Sequence, residues 1–173
     1  MYTKSGMNDV FQFYSKSRDV PPGRGAGERA SRAYALPTNF RKMLSNFYLI
    51  PIEYKGEHYA SVEHAFHATK LERFGHPDAA DFAIGAVNYV GNEGGAVKRA
   101  GGKHGRFRMN AEQIASWNLA SRGVLEELWE EKFGRNEPLR VMLKAMGGAE
   151  LWHDMGRGKK ERWVELENLR TRI

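Results

Sequence analysis

The sequence predicts a helix-dominated α+β fold with a small N-terminal β element, built as a single domain over residues 1–173. Three observations predict it. Residues 10–14 are rich in aromatic and β-branched side chains. Ser61 is a good helix N-cap, and apolar residues recur at helical spacing over residues 110–134. With 41% hydrophobic residues, the chain can bury one core and still carry a cleft.

The first third of the chain predicts little regular structure after its opening strand. Residues 19–42 contain adjacent prolines, a glycine-rich run and Pro37, so we expect a flexible insertion there. Residues 47–54 predict a strand at a sheet edge, because Pro51 cannot donate a ladder hydrogen bond. A turn at residues 55–57 then completes a small hairpin.

Six helices are predicted after the hairpin, and their ends are marked by capping residues. Ser61 begins the first and Gly75 ends it, while Pro77 fits the first turn of the second. Asn110 and Gln113 form a capping pair at the start of the longest helix. The predicted helices cover residues 61–74, 78–87, about 92–101, 110–134, 136–146 and a terminal stretch around 163–170.

The composition excludes several classes of chemistry. The absence of cysteine rules out disulfides, thiolate catalysis and thiolate metal ligands. No apolar run approaches the roughly 20 residues that span a bilayer, and no basic-then-apolar leader opens the chain, so we expect a cytoplasmic protein that does not enter membranes. The net charge of +6 favours a polyanionic partner, either a nucleic acid or a phosphorylated small molecule.

The positive charge is concentrated after a glycine-rich segment. Residues 98–108 hold five basic residues and no acidic one. We expect four of them to contact phosphates, although a solvated loop without a ligand would have the same composition. These four are Lys98, Arg99, Lys103 and Arg106. The glycine-rich segment at residues 91–99 could also present backbone amides to a phosphate at a helix start.

One helix face combines a carboxylate, an imidazole and an amine. Glu63, His67 and Lys70 are spaced i, i+4 and i+7. The free amides of the first turn stabilise a carboxylate at Glu63 by roughly 0.3–1 kcal/mol, which favours its ionised form. Helical rise puts Lys70 about 10 Å further along the axis, too far for a direct ion pair. The face can form an active site, or it can be an ordinary solvated surface.

The six histidines do not predict a metal centre. His64 and His67 are spaced i, i+3, but no HExxH motif and no third nearby carboxylate completes a site. His64 is better explained as a packed, hydrogen-bonding side chain. We therefore expect neither a metal nor another cofactor.

Motifs in the first half of the chain resemble the NADAR family, which is named for its links to NAD and ADP-ribose. They are Phe13-Tyr14-Ser15, Leu44-Ser45-Asn46-Phe47 and the helix from Ser61 to Lys70. Trp117 and the later Lys132-Phe133 pair resemble the helical second half of that family. The resemblance implies a helix-rich α+β fold and a metal-independent enzyme that cleaves N-glycosidic bonds. Known substrates of the family include ADP-ribosylated guanine in DNA and intermediates of riboflavin synthesis.

The resemblance also implies roles for individual residues. Glu63 becomes the catalytic carboxylate, Lys70 an active-site amine and Trp117 a wall of the pocket. The other substrate contacts that it implies are Tyr14, Ser15, Asn46, Phe47, His64 and His67. Lys70 could neutralise a diphosphate as a cation or attack the opened sugar as a neutral amine.

The chain departs from the family pattern in three places. Residues 19–42 are longer than the usual link, the C-terminal Trp-Gly and Gly-Asn elements are replaced by residues 152–158, and His67 and Thr69 occupy positions where glutamine is commoner. The predicted function is removal of ADP-ribose from guanine in DNA. The alternatives are an N-glycosidase of riboflavin intermediates and a noncatalytic module that binds ADP-ribose or nucleic acid. Oligomeric state is not predicted.

Overall fold

A computed structural model describes residues 7–173, whose contacts divide the chain into two compact units. The first unit combines the chain up to Ser45 with Glu137–Ile173, and the second is Asn46–Asn136. In chain order the elements are β1 (Val10–Phe13), α1 (Phe40–Leu44), β2 (Ile52–Tyr54), β3 (Glu57–Tyr59), α2 (Val62–Arg73), a 3₁₀ helix (Pro77–Phe82), α3 (Gly94–Gly101), α4 (Ala111–Trp129), a π-helical turn (Glu130–Gly134), α5 (Glu137–Ala145), β4 (Glu150–Gly156), β5 (Lys159–Arg162) and α6 (Val164–Arg172). That the whole chain forms one domain stays a prediction.

The first unit is built on a three-stranded sheet in the order β1-β4-β5. Strand β1 is parallel to β4, and β4 is antiparallel to β5. Strand alternation turns Phe11 and Phe13 to the buried face. Phe11 packs edge-to-face on Phe40 at 5.1 Å between ring centroids, and Phe13 does the same on Trp163 at 5.0 Å. The predicted N-terminal strand is confirmed, but the sequence did not predict its two C-terminal partners.

The segment after β1 contains a buried ion pair. The Glu28 carboxylate accepts hydrogen bonds from Nε and Nη2 of Arg41, both at 2.6 Å, and neither side chain is more than 2% exposed. The same carboxylate accepts from the amides of Gly23 and Gly25 at 3.0 Å. Glu28 therefore connects the glycine-rich run to helix α1. The flexibility expected of residues 19–42 stays a prediction.

The second unit surrounds helix α2, which packs against the 3₁₀ helix, α3 and α4. Ser61 caps α2 by accepting from the amide of His64, and Gly75 ends it with φ +68°. Asn110 and Gln113 form the expected reciprocal capping box at α4. The core of this unit consists of Val62, Ala65, Ala68, Leu71, Phe82, Val97, Leu128, Trp129 and Phe133.

Two segments of this unit differ from the prediction. The helix expected over residues 78–87 is a 3₁₀ helix ending at Phe82, because the chain turns at Gly85 with φ +86° and the amide of Val90 bonds back to Asp81. The strand expected over residues 47–54 is restricted to Ile52–Tyr54. The last turn of the longest helix widens to a π-helix that buries Lys132 and Phe133.

No helix within residues 7–173 combines the length and the apolar content needed to cross a membrane.

Candidate active site

The first turn of α2 is anchored by Asn46. The backbone carbonyl of Asn46 accepts from the amide of Glu63 at 2.9 Å, and its side-chain oxygen accepts from Nε1 of Trp129 at 2.8 Å. One residue therefore connects the start of α2 to the end of α4. The helix dipole and the remaining free amides of this turn favour a negative charge at Glu63.

Glu63, His67 and Lys70 come together along α2 as the spacing predicts. Nε2 of His67 lies 2.9 Å from Oε1 of Glu63, although its N–H is not aligned for a hydrogen bond. Nδ1 of His67 lies 3.5 Å from Nζ of Lys70, which donates to the carbonyl of Gly101. Burial is high, since the Glu63 side chain is 15% exposed and Lys70 5%. The imidazole of His67 thus lies between the Glu63 carboxylate and the Lys70 amine.

Burial lowers the pKa of Lys70, and the Glu63 carboxylate opposes part of that shift. A lower pKa enlarges the fraction of neutral amine available near neutral pH. The two ring nitrogens of His67 face different groups, Nε2 facing the Glu63 carboxylate and Nδ1 facing the Lys70 amine. The arrangement therefore places a carboxylate and an amine of lowered pKa on either side of one imidazole ring.

Gly101 is a site residue that sequence reasoning missed. A Cβ at this position would lie 2.6 Å from the Cβ of His67 and would overlap the imidazole ring. Only glycine lets the end of α3 approach α2 closely enough for its carbonyl to accept from Lys70. Its signal in the sequence is a glycine at the end of a helical segment, a position where helix termination alone also explains a glycine.

His64 lies on another side of α2 and is 1% exposed. Its Nδ1 is 2.7 Å from Oγ of Ser61, and its Nε2 is 2.9 Å from the carbonyl of Gly91. The ring of Tyr89 stacks on it at 5.8 Å between centroids. Burial lowers the pKa of His64 and favours the neutral imidazole. These contacts tie the loop before α3 to α2, and contact of His64 with substrate stays a prediction.

Two aromatic residues predicted to contact substrate lie elsewhere in the second unit. Trp117 is 6% exposed, packs on Phe66 at 5.0 Å between centroids, and lines a cavity of about 190 Å³ on the Thr69 side of α2. Phe47 packs against the start of α3, where a Cβ on Gly94 would come within 2.9 Å of its ring.

The basic run is divided by the structure. Lys98, Arg99 and Lys103 are exposed. Arg99 also pairs with Glu93 at 3.5 Å, and Arg106 pairs with Asp81 at 2.5 Å and with Asp78 at 3.6 Å.

The amides at the start of α3 are already occupied. Oε1 of Glu93 accepts from the amide of Gly95 at 2.8 Å, and Oε2 accepts from that of Ala96 at 3.0 Å. These amides, which we expected to suit a phosphate, therefore carry a carboxylate of the chain itself.

Tyr14 and Ser15 belong to the first unit, in the turn after β1. Tyr14 is 41% exposed and its amide donates to Oγ of Ser17 at 2.8 Å. Tyr14 lines a cavity of about 160 Å³ together with Arg18 and Arg24. A phenol beside two guanidinium groups suits a phosphorylated ligand. Among the side chains of residues 7–173, no group of three His, Asp or Glu is placed to hold a metal ion.

Helix content, the small sheet and the central helix α2 together define a helix-rich α+β protein of the YbiA type. A solved structure with a similar fold is that of the E. coli protein YbiA, determined by NMR, which matches with a TM-score of 0.57 and 20% sequence identity. The match covers 96% of this chain and 84% of YbiA. At this level of identity the likeness shows the fold, so the helix-rich α+β fold expected from the sequence is confirmed. No family model matches the chain, and no curated protein is similar to it.

Proposed function

We propose that this protein is a NADAR-type N-glycosidase that hydrolyses the bond between ribose C1 and nitrogen, releasing ADP-ribose from guanine bases in DNA. The observation that carries the proposal is the contact series from Glu63 through His67 to Lys70. It occupies the positions of the family's most specific motif, in a chain with the YbiA fold.

The chemistry of this bond suits a fixed carboxylate. As the bond from C1 to nitrogen breaks, the sugar acquires oxocarbenium character, and a preorganised negative charge stabilises it. Asn46 fixes the backbone of Glu63 at a helix N-terminus, and the Glu63 side chain is largely buried beside the His67 ring, which limits the freedom of its carboxylate. In the direct route water adds to C1, and guanine leaves with a proton.

Lys70 supports a second route through the same site. A neutral amine attacks C1 as guanine leaves with a proton, and opening of the ribose ring then gives a Schiff base that water hydrolyses. The lowered pKa of Lys70 and its 5% exposure favour this role over that of a freely solvated cation. The exposed Lys98 and Lys103 on either side of Gly101 support a nucleic-acid substrate, because they can approach phosphates without entering the core.

The direct test is the variant Glu63→Gln, which keeps the size of the side chain and removes its charge. We expect release of ADP-ribose from guanine-ADP-ribosylated DNA, followed by mass spectrometry, to fall by about 10²–10³. Circular dichroism should show an unchanged fold. Glu53→Gln, an exposed carboxylate of the hairpin, is the matched control and should retain activity. Full activity of Glu63→Gln would refute the assignment, and cleavage of riboflavin intermediates alone would redirect the substrate.

Borohydride trapping separates the two roles of Lys70. With substrate present, we expect a covalent adduct whose yield rises with pH as the amine loses its proton. The adduct should be absent from Lys70→Met and map to Lys70 by peptide mass spectrometry. Turnover without any adduct would assign Lys70 to charge neutralisation instead.

A further inference from the structure

A separate cavity of about 520 Å³ lies in the second unit among β3, α2 and the 3₁₀ helix, and it has no role in the proposed glycosidase. Small apolar side chains make its floor: Ala68, Pro77, Ala79, Ala80, Ala83 and Ile84. Glu57, Glu72 and Tyr59 supply its polar groups. Glu72 lies nine residues after Glu63, which is about two and a half helical turns. The two side chains therefore project from opposite sides of α2, and the cavity lies on the side away from Glu63. Its size is typical of small-molecule sites.

Tyr59 is the buried polar group of this cavity. It is 6% exposed, and its hydroxyl has no hydrogen-bond partner among residues 7–173. Burial and the negative charges of Glu72 and Glu57 raise the pKa of this phenol to about 12. Tyr54, by contrast, donates its hydroxyl to Glu127. The Tyr59 hydroxyl therefore lies at the cavity with no protein group bonded to it, and a polar ligand group can bond to it there.

The two carboxylates are also available. Neither Glu57 nor Glu72 is engaged in an ion pair within the described part of the chain. Glu72 also borders the smaller cavity next to Trp117, where Lys55 and Arg73 lie, but neither cation forms an ion pair with it and neither lines the larger cavity. In a protein with a net charge of +6, this is a local region of negative charge beside an apolar floor. Such a surface complements a cation that carries an aliphatic body.

We propose that this cavity binds a small aliphatic diamine, with its methylene groups on the alanine floor and its ammonium groups at Glu57 and Glu72. The phenol oxygen of Tyr59 accepts a further hydrogen bond from one ammonium group. Most of the surface of this basic protein repels a dication. We therefore expect binding only at the cavity, where the carboxylates of Glu57 and Glu72 lie.

Titration of the full chain with putrescine, followed by NMR amide shifts and calorimetry, tests the proposal. We expect shifts centred on Ala80, Ala83 and Ile84. Two probes separate charge from shape: n-butylamine has the same chain with one charge, and Mg²⁺ has the charge without the chain. Both should bind at least about tenfold more weakly than putrescine.

Three variants locate the ligand, and one serves as control. Glu72→Gln should weaken putrescine binding about tenfold, Tyr59→Phe by a smaller factor, and Ala80→Leu should block it by filling the cavity. The control Glu53→Gln removes an exposed carboxylate from the β2–β3 hairpin, which also contains Glu57 and Tyr59, and should bind putrescine normally.

Putrescine binding should persist in Glu63→Gln. The diamine proposal is therefore independent of the glycosidase proposal, and each can fail without the other. Absence of putrescine binding at millimolar concentration, equal binding of Mg²⁺, or equal losses in Glu72→Gln and Glu53→Gln would overturn it.

Discussion

At the scale of single residues, the second unit contains two buried lysines with different surroundings. Lys70 contacts His67 and donates to a backbone carbonyl. Lys132 is completely buried, with its ammonium 4.8 Å from the ring centroid of Phe133 and 5.6 Å from that of Tyr48. Burial lowers the pKa of Lys132 to about 7. Keeping a charge on Lys132 is therefore costly in the folded state.

This burial predicts a specific pH dependence of stability. Between pH 7 and 10.5 the unfolded chain holds a proton on Lys132 that the folded chain has released, so the free energy of unfolding rises with pH and falls as pH drops towards 7. The slope from this group reaches about 1.4 kcal/mol per pH unit. The variant Lys132→Met should lack this contribution to the pH dependence. Urea denaturation of both proteins from neutral to alkaline pH should give a stability difference that changes with pH, and parallel curves would contradict the prediction.

At the scale of elements, the approach of α3 to α2 depends on one glycine. Gly101→Ala would push the His67 ring away from both Glu63 and Lys70. We expect a loss of stability of about 1–3 kcal/mol and at least about a tenfold loss of ADP-ribose release. Thermal denaturation and the mass-spectrometric assay measure the two effects.

The matched control is Gly123→Ala in α4, where an added Cβ meets no atom within 4 Å. Because alanine favours helix, this change should stabilise the protein by about 0.5–1 kcal/mol and leave activity unchanged. Equal effects of Gly101→Ala and Gly123→Ala on stability and on ADP-ribose release would show that the close approach of Gly101 to His67 contributes to neither.

The elements also show which parts of the structure the sequence can predict. Helix α2 and the cap of α4 were predicted because their signals, such as Ser61 and the Asn110–Gln113 pair, lie within one turn of the boundary that they mark. Strands β4 and β5 were not, because β4 pairs with a strand 140 positions earlier and nothing local indicates that register. Within the site, helical spacing predicted the face containing Glu63, but the contact with Gly101 comes from another helix.

At the scale of the whole molecule, the net charge of +6 is distributed unevenly. Lys98 and Lys103 are exposed, whereas Arg106 is held by two aspartates and one cavity is bordered by two free carboxylates. Attraction to a polyanion therefore depends on particular positions rather than on the sum of charges.

Binding to DNA should distinguish these positions. We expect Lys98→Gln with Lys103→Gln to weaken binding and to reduce the slope of log affinity against log salt by about 1.8, since each duplex phosphate contact contributes about 0.9. Arg106→Gln should change the slope less, because Asp81 already neutralises that cation. Fluorescence anisotropy at several salt concentrations measures the affinity and the slope. Equal slopes for the Lys98→Gln/Lys103→Gln variant and for Arg106→Gln would contradict the assignment of Lys98 and Lys103 as phosphate contacts.

The parallel pairing of β1 with β4 has a consequence for how the chain is synthesised. Val10 leaves the ribosome long before Glu150, its partner in the sheet, and all of Asn46–Asn136 is made in between. Until Glu150–Gly156 is made, β1 has no β4 beside it, and Phe13 also lacks Trp163, against which it packs. The nascent chain thus carries an incompletely covered hydrophobic strand until late in its translation, and we expect β1 to be open to aggregation or to chaperone binding during that time.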